Sequence, residues 1–330
     1  MNPSIPTSVL FLGAPGLIGN HVIPALSRAG IPVLAGSRRG LVVGNVPGVA
    51  VDMRDPKTLA RTMQGIGTVA FVIPDVIDME ALGLNVVAAA QSAGVRRLLW
   101  FSSFGASPKN EARFSRRHPV IDEAVRSSGI PYTILRPSFF MQDFTAFYGE
   151  TIRRARAIFL PLGDARISHL DLRDLGEAAV AVLRDDRHLG RSYDLSGPEA
   201  LHTCEVAEQI GSAIGRTIRY QSIPAAALEA ELRGAGADPY FAEGLAELYA
   251  WIRDSGLGSE VTPAVEQLLG RKPTPSENSP SIIDRHGWIN SWRHHCALLA
   301  TRRRSGLIAL KPEFDGRVHG STRSVARARC

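Results

Sequence analysis

The stretch LFLGAPGLIGNHV (residues 10–22) decides the fold class. An apolar run leads into Gly13-x-x-Gly16-x-x-Gly19, and a helix-like segment follows. This order is typical of the pyrophosphate-binding turn of dinucleotide-binding sheets. Gly13 permits a tight turn, Gly16 lets the backbone approach a pyrophosphate, and Gly19 lets the helix pack closely on the sheet. The free N–H groups of the first helical turn would face the anion. A glycine turn without a ligand is the alternative.

Short apolar runs alternate with helix-like segments over the first half of the chain. We predict strands at 8–12, 32–36, 48–51, 68–73, 97–102 and 132–136, and helices at 17–28, 56–64, 79–93 and 119–128. Apolar strands separated by helices indicate a parallel sheet covered on both faces. Right-handed crossovers make such a sheet doubly wound. The predicted fold is therefore α/β, a Rossmann-type doubly wound parallel sheet.

The second half of the chain changes character. Residues 159–185 indicate a hairpin-like pair of strands and then a helix that begins at Asp171 or Asp174. Residues 191–215 indicate a strand, a turn and a helix that ends at Gly215. We predict a dinucleotide-binding core over 1–157. Residues 158–290 should hold the remaining segments of that fold and a smaller, mainly helical substrate lobe.

The positive charge of the chain is concentrated at its end. The net charge is +6, and residues 302–330 alone hold eight Lys or Arg and two acidic residues. The rest of the chain is therefore neutral overall, which disfavours nucleic acid as a partner. We predict that residues 291–330 form a basic, disordered tail. A contact of this tail with nucleic acid or a partner protein is the alternative.

The cysteines predict neither a disulfide framework nor a metal site. Cys204, Cys296 and Cys330 lie far apart in the sequence. This usage indicates a reducing compartment, and we expect a cytoplasmic protein. The first residues lack a basic region and a long apolar run, so they predict neither a signal peptide nor a membrane span.

The end of the second strand selects the dinucleotide. NAD enzymes place a carboxylate there to bind the ribose hydroxyls. This chain has VLAGSRRG (33–40), with Ser37, Arg38 and Arg39 in place of a carboxylate. Arginine binds a 2′-phosphate well, so NADPH or NADP is expected rather than NADH. Asp52, after the third strand, should lie near the adenine. Ordinary surface charges are the alternative for the two arginines.

Several motifs together resemble one known family. FLGAPGLIG, RRLLWFSSFGA, SGIPYTILRPSFFMQDF, LPLGDARISHLDLRDLGEAAVAVL and YDLSGPEALHTCEVAEQIGSAIGR occur in the order found in the NmrA-like group of atypical short-chain dehydrogenase/reductases. The resemblance runs from about residue 8 to about residue 290. That group includes NAD(P)H-dependent quinone and azo-dye reductases, alkaloid-pathway reductases and non-catalytic dinucleotide sensors. The resemblance implies the fold and the cofactor, and leaves catalysis open.

The resemblance also implies cofactor contacts at the ends of several strands. They are Gly13, Gly16, Leu17, Ile18 and Gly19 at the pyrophosphate, Ser37 and Arg38 at the adenosine, Ile73 and Pro74 after the fourth strand, Ser102 and Ser103 after the fifth, and Pro137 after the sixth. Phe104, Phe139, Phe140 and Met141 would border the nicotinamide and the substrate. A flat acceptor could stack on these aromatic rings. A packed core between the lobes is the alternative for them.

His118 is the candidate catalytic residue. The chain lacks the Tyr-x-x-x-Lys of classical short-chain dehydrogenases, and His118 stands where many relatives have Lys or His, with Asp122 at the usual Glu. The two residues are one helical turn apart and could share a face. His118 could bind the cofactor ribose, act as the acid, or pack at the start of the 119–128 helix beside Pro119.

These residues predict an NADPH-dependent oxidoreductase for a small conjugated acceptor of the quinone, azo, enone or iminium type. Such acceptors are already electron-poor, so they need less help from a protein acid than an ordinary ketone does. A non-catalytic NADP(H)-binding redox sensor is the alternative function. A nucleic-acid binder is a third, disfavoured reading, and the oligomeric state is left open.

Overall fold

The structure, a computed structural model, describes residues 8–278 of the 330-residue chain. In chain order its strands are β1 (Val9–Leu12), β2 (Val33–Ser37), β3 (Gly48–Ala50), β4 (Thr68–Val72), β5 (Arg97–Phe101), β6 (Tyr132–Pro137), β7 (Ala157–Leu160), β8 (Arg166–Ile167), β9 (Arg191–Leu195), β10 (Leu201–His202) and β11 (Arg219–Ser222). Its α-helices are α1 (Leu17–Arg28), α2 (Pro56–Met63), α3 (Met79–Ser92), α4 (Arg113–Ser127), α5 (Asp143–Ala146), α6 (Gly149–Ala155), α7 (Leu172–Arg184), α8 (Thr203–Ile214), α9 (Ala225–Gly234), α10 (Pro239–Ser255) and α11 (Ala264–Leu269).

The main sheet has seven parallel strands in the order β3-β2-β1-β4-β5-β6-β9. The direction of winding reverses between β1 and β4. This is the topological switch point, where doubly wound sheets bind their ligands. The predicted fold is therefore confirmed, and each of the six strands predicted in the first half lies within one residue of its expected bounds.

Alternate residues of each strand enter two separate cores. Val9 and Phe11 of β1 pack with α1, α7 and α11 on one face of the sheet. Leu10 and Leu12 pack with α2, α3 and α4 on the other face. Successive side chains of a strand point to opposite faces, so an almost wholly apolar strand is what a sheet covered on both faces requires.

The chain after residue 157 contributes to both parts of the molecule. β9, α7 and α11 complete the main sheet and its first core. A third core of apolar side chains lies in the smaller lobe, where α5, α6, α8, α9 and α10 surround β7. This lobe is mainly helical, as predicted. It also includes α5 and α6, which precede residue 157 and lie within the range predicted for the dinucleotide-binding core.

Two of the predicted helix ends are confirmed, and the predicted hairpin is wrong. Asp171 caps α7 by accepting a hydrogen bond from the Arg173 amide, and Gly215 ends α8 with φ +67°. β7 and β8 do not pair with each other. β7 pairs with β11 and β8 with β10, because both partners come later in the chain than the segment that predicted the hairpin.

The helix predicted at 119–128 begins six residues earlier, at Arg113. Pro119 therefore lies inside α4, not in its first turn. A proline inside a helix costs about 3 kcal/mol. The added turns bury Phe114 and His118, and they place Arg113 and Arg117 against α10. Tertiary contacts of this kind override the local preference for a helix that starts at the proline.

The predicted tail at 291–330, with Cys296 and Cys330, lies outside the described residues. So does the end of the predicted lobe, residues 279–290.

Candidate active site

The glycine loop joins β1 to α1 with almost no spare room. Gly13 has φ +84°, and a Cβ atom there would lie 2.6 Å from the carbonyl oxygen of Val72 at the end of β4. A Cβ on Gly19 would lie 2.7 Å from the carbonyl carbon of Ala14 and closer still to its oxygen. Both positions therefore exclude any side chain. The loop brings the ends of β1 and β4 together at the switch point.

The first turn of α1 offers free amides to an anion. Gly16 caps the helix without a side chain, and the turn contains no acidic residue. The first helical hydrogen bond runs from the Asn20 amide to the Gly16 carbonyl, 3.0 Å away. The amides of Leu17, Ile18 and Gly19 precede this bond, and they are the groups that bind phosphate at a helix N-terminus. The loop thus fits a pyrophosphate.

The end of β2 carries positive charge and no carboxylate. Ser37 is buried, and its Oγ accepts a hydrogen bond from the Leu41 amide at 3.0 Å, which closes the turn that presents Arg38. Arg38 is exposed and forms no ion pair with any residue of 8–278. Asp52 follows the neighbouring β3, where its Oδ1 accepts from the Arg54 amide at 2.9 Å. The arrangement leaves the Arg38 guanidinium available to a phosphate.

The ends of β4 and β5 carry unpaired buried atoms. Ile73 is buried, Pro74 is exposed and Ser103 is half-buried. Asp75 Oδ1 and Ser102 Oγ are buried without a hydrogen-bond partner among the described residues. Each such atom costs on the order of 1–3 kcal/mol unless a bound molecule satisfies it. A ligand with hydroxyl or amide groups, as a dinucleotide has, fits this edge.

His118 lies against the same edge. It is 8% exposed, and its ring stacks on that of Trp100 with centroids 5.8 Å apart. Its Nε2 lies 3.8 Å from Asp75 Oδ1, while its Nδ1 is buried without a partner among residues 8–278. Asp75 was missed in the sequence, although it directly follows Ile73 and Pro74 at a strand end.

Asp122 shares helix α4 with His118 but pairs with other residues. Asp122 is fully buried, and its Oδ1 accepts a hydrogen bond from Trp100 Nε1 at 2.8 Å. Its Oδ2 accepts from Arg136 of β6, with Nε at 3.1 Å. Spacing along a helix shows which residues can share a face, but it does not show which neighbour in another element competes for the carboxylate. Asp122 ties α4 to the sheet, and Asp75 faces His118 instead.

The four residues predicted to border the substrate occupy different environments. Phe139 is half-buried and stacks on Tyr249 of α10, with centroids 5.6 Å apart. Phe140 is also half-buried, whereas Phe104 is buried beside the end of β6 and its amide bonds to the Pro137 carbonyl. Met141 is 1% exposed and lies in the core of the small lobe. A substrate contact for any of them stays a prediction.

A polar cluster lies beside Phe139, on the side of its partner Tyr249. Tyr148 and Tyr249 join their hydroxyl groups in a hydrogen bond, and burial raises the pKa of both, so they stay protonated at neutral pH. Burial also raises the pKa of Asp143 to about 7, opposed by the hydrogen bond that its carboxylate accepts from the Phe140 amide. Asp143 is therefore expected to titrate near neutral pH.

The raised pKa of Asp143 makes a specific pH dependence of stability expected. The side chain has a pKa of about 3.9 in an unfolded chain. Between about pH 4 and 7 the folded protein holds a proton that the unfolded chain releases, so stability falls as the pH rises through this window. Thermal unfolding measured from pH 4 to 8 should show a smaller decline for Asp143→Asn than for the parent. Asp164→Asn, exposed in the same lobe, is the control. Equal declines for the parent and Asp143→Asn would contradict the expectation.

The model of the NmrA-like family matches residues 6–277. This chain belongs to the NmrA-like family. The resemblance found in the sequence is thereby confirmed.

Two relatives of this NmrA-like protein are reductases by name. This chain is 32% identical to the NAD(P)H azoreductase of Xenophilus azovorans over 80% of this chain and 93% of the relative. It is 34% identical to the (4-alkanoyl-5-oxo-2,5-dihydrofuran-3-yl)methyl phosphate reductase of Streptomyces griseus subsp. griseus over 81% of this chain and 94% of the relative. The relatives thus support a reductase role.

Solved structures share the fold. The NADPH complex of an NADPH-dependent quinone oxidoreductase from Escherichia coli superposes with a TM-score of 0.72 at 23% identity, covering 84% of this chain and all of that one. NmrA, a negative transcriptional regulator in complex with NADP, superposes with a TM-score of 0.68 at 16% identity. The superposition covers 87% of this chain and all of NmrA. The expected NADPH or NADP cofactor agrees with both complexes. Enzyme and regulator share one architecture, so the fold alone does not separate them.

Two kinds of feature are absent from the described residues. No helix in residues 8–278 combines the length and the apolar character needed to cross a membrane. Within the same part of the chain, no three His, Cys, Asp or Glu side chains form a group that could hold a metal ion.

Proposed function

We propose that this protein is an NADPH-dependent reductase of small conjugated acceptors, such as quinones, azo compounds, enones or iminium ions. The observation that carries the proposal is the joined edge of β1 and β4. There Gly13, which has no room for a side chain, lies against the end of β4. Unpaired buried atoms belong to Asp75 after β4, Ser102 after β5 and His118 on α4. The names of the two reductase relatives support an activated acceptor.

Different residues of this edge would bind different parts of the dinucleotide. The loop amides of Leu17, Ile18 and Gly19 would hold the pyrophosphate, and Arg38 with Ser37 would hold the adenosine end. Ile73, Pro74 and Pro137 would line the path to the nicotinamide. When bound, the dinucleotide supplies the hydride, and the protein orients the acceptor and excludes water.

His118 is the group at this edge that could hold or move a proton. Its two ring nitrogens are distinct groups, so one could bind the cofactor while the other faces the acceptor. In the protonated imidazolium both nitrogens donate. A conjugated acceptor needs only this modest help, because its hydride-accepting atom is already electron-poor. The Phe139 and Phe140 rings would form a flat wall for it.

A panel of acceptors tests the proposal. Purified protein is mixed with NADPH and, separately, with a quinone, an azo dye, an enone and a cyclic iminium compound, and NADPH oxidation is followed by absorbance. Turnover with at least one class is expected. NADPH binding without turnover on any class would instead support the non-catalytic NADP(H) sensor, and absence of binding would remove both functions.

Arg38 is expected to set the preference for NADPH. Arg38→Ala should weaken NADPH binding by about 10- to 100-fold, because a charge-assisted contact to the 2′-phosphate is lost. NADH binding should change little, since NADH has no such phosphate. Calorimetric titration of both dinucleotides measures the effect. Arg61→Ala, which removes one exposed charge from α2, is the control. Equal losses for NADPH and NADH would contradict the assignment.

A further inference from the structure

Asp75 is not among the site residues that the sequence motifs indicate. It lies three residues after the end of β4, at the switch point where β4 touches Gly13. Its Oδ1 is buried and unpaired within the described chain, and His118 Nε2 is 3.8 Å away. That separation is too long for a direct hydrogen bond. It is short enough for one oxygen atom to lie within about 2.8 Å of both.

The two side chains offer complementary partners to a hydroxyl group. An ionised carboxylate only accepts hydrogen bonds, and an imidazole N–H donates. A hydroxyl oxygen does both, so it can donate to Asp75 and accept from His118. Carboxylates bind ribose hydroxyls in this way at the adenosine end of NAD enzymes. In this chain the carboxylate follows β4, which lies across β1 from β2, where the nicotinamide half of a dinucleotide would lie.

Arg117 fixes the loop that carries Asp75. Its guanidinium donates to the carbonyl oxygens of Val76 at 3.0 Å and Ile77 at 2.8 Å, and to Glu80 at 3.0 Å. It also bonds to the hydroxyl of Tyr240 on α10. These contacts hold the two residues after Asp75 against the turn of α4 that carries His118. Arg117 therefore sets the spacing between the carboxylate and the imidazole.

We propose that Asp75 and His118 together form a binding site for the hydroxyl groups of the nicotinamide ribose, and that Arg117 is the positioning residue of this site. The inference rests on the proposed function, because it concerns the same dinucleotide. It adds a carboxylate to the cofactor site and links that site to α10 of the small lobe. The pair recognises the half of the cofactor that Arg38 does not reach.

The test compares two ligands that differ in the nicotinamide half. NADP⁺ contains the nicotinamide ribose, and 2′,5′-ADP contains only the adenosine half. Asp75→Asn should weaken NADP⁺ binding by about 10- to 100-fold, as expected for losing a charged hydrogen-bond acceptor. It should leave 2′,5′-ADP binding unchanged. Asp78→Asn, in the same loop but ion-paired to exposed Arg54, is the matched control and should change neither affinity.

The role of Arg117 is tested by comparing the NADP⁺ affinities of single and double variants of Asp75 and Arg117. Arg117→Ala should weaken NADP⁺ binding without affecting 2′,5′-ADP, and Arg117→Lys should recover part of the loss. If Arg117 acts through Asp75, the double variant Asp75→Asn/Arg117→Ala should bind NADP⁺ no more weakly than Asp75→Asn alone. Additive losses would overturn the positioning role.

The remaining outcomes separate this inference from the proposed function. Unchanged NADP⁺ binding in Asp75→Asn would overturn the ribose site and leave the reductase proposal standing. Equal losses for NADP⁺ and 2′,5′-ADP would show a general distortion and would also overturn the ribose site. A parent protein that binds neither ligand would overturn both proposals.

Discussion

Gly19→Ala should weaken NADPH binding on the order of 100-fold. The new methyl group would lie 2.7 Å from the carbonyl carbon of Ala14, a backbone atom that cannot rotate away. The N-terminus of α1 must then move off the loop. Forced shifts of this kind cost about 1–3 kcal/mol, and the displaced amides of Leu17 and Ile18 lose the phosphate as well. Calorimetric titration with NADPH measures the loss.

Gly234→Ala is the matched control for this prediction. Gly234 ends α9, and a Cβ atom there would meet nothing within 4 Å. The control should bind NADPH like the parent, which excludes a general effect of adding a methyl group. If Gly19→Ala kept the parent affinity while remaining folded, the loop would not be the pyrophosphate site.

Asp122→Ala should lower the free energy of unfolding by about 3–5 kcal/mol. The change leaves the Arg136 guanidinium and the Trp100 indole N–H without the buried carboxylate that now accepts from both. Removing the carboxylate is costly because the indole N–H stays buried and Arg136, 17% exposed, keeps only the Asp194 carboxylate at 3.9 Å among the described residues. Chemical denaturation measures the change.

Asp78→Asn serves as the control, since its ion pair with Arg54 is partly exposed and should contribute within about 1 kcal/mol. The bound ligand gives a second readout. Below its unfolding temperature, Asp122→Ala should retain NADPH affinity, because Asp122 does not face His118. An unchanged free energy of unfolding would contradict the stabilising role of the network. A folded variant that cannot bind NADPH would contradict the separation of Asp122 from the cofactor site.

The parallel core could be predicted because its signal is local. β1 to β6 are short apolar runs, and each lies within one residue of its expected place. The glycine triplet also has a local cause, since the loop leaves no room for a Cβ at Gly13 or Gly19. Patterns of this kind depend on neighbours in sequence, so they can be read before the fold is known.

The misplaced features all depend on partners distant in sequence. α4 begins at Arg113 because that residue bonds Glu247 of α10, which lies 134 residues later. The carboxylate of Asp122 is taken by Arg136 of another element. β7 finds its partner in β11. Helical spacing and strand propensity contain no information about such partners, and for that reason Asp75 was overlooked as the neighbour of His118.

A single-turnover experiment tests the central claim most directly. Protein in excess over NADPH is mixed rapidly with a quinone or an azo dye, and the loss of NADPH absorbance is followed in time. This design separates binding from chemistry, because every NADPH molecule starts bound. We expect a decay that speeds up with acceptor concentration and exceeds the rate without protein. Bound NADPH that survives at the uncatalysed rate with every acceptor would contradict the account and indicate a dinucleotide sensor.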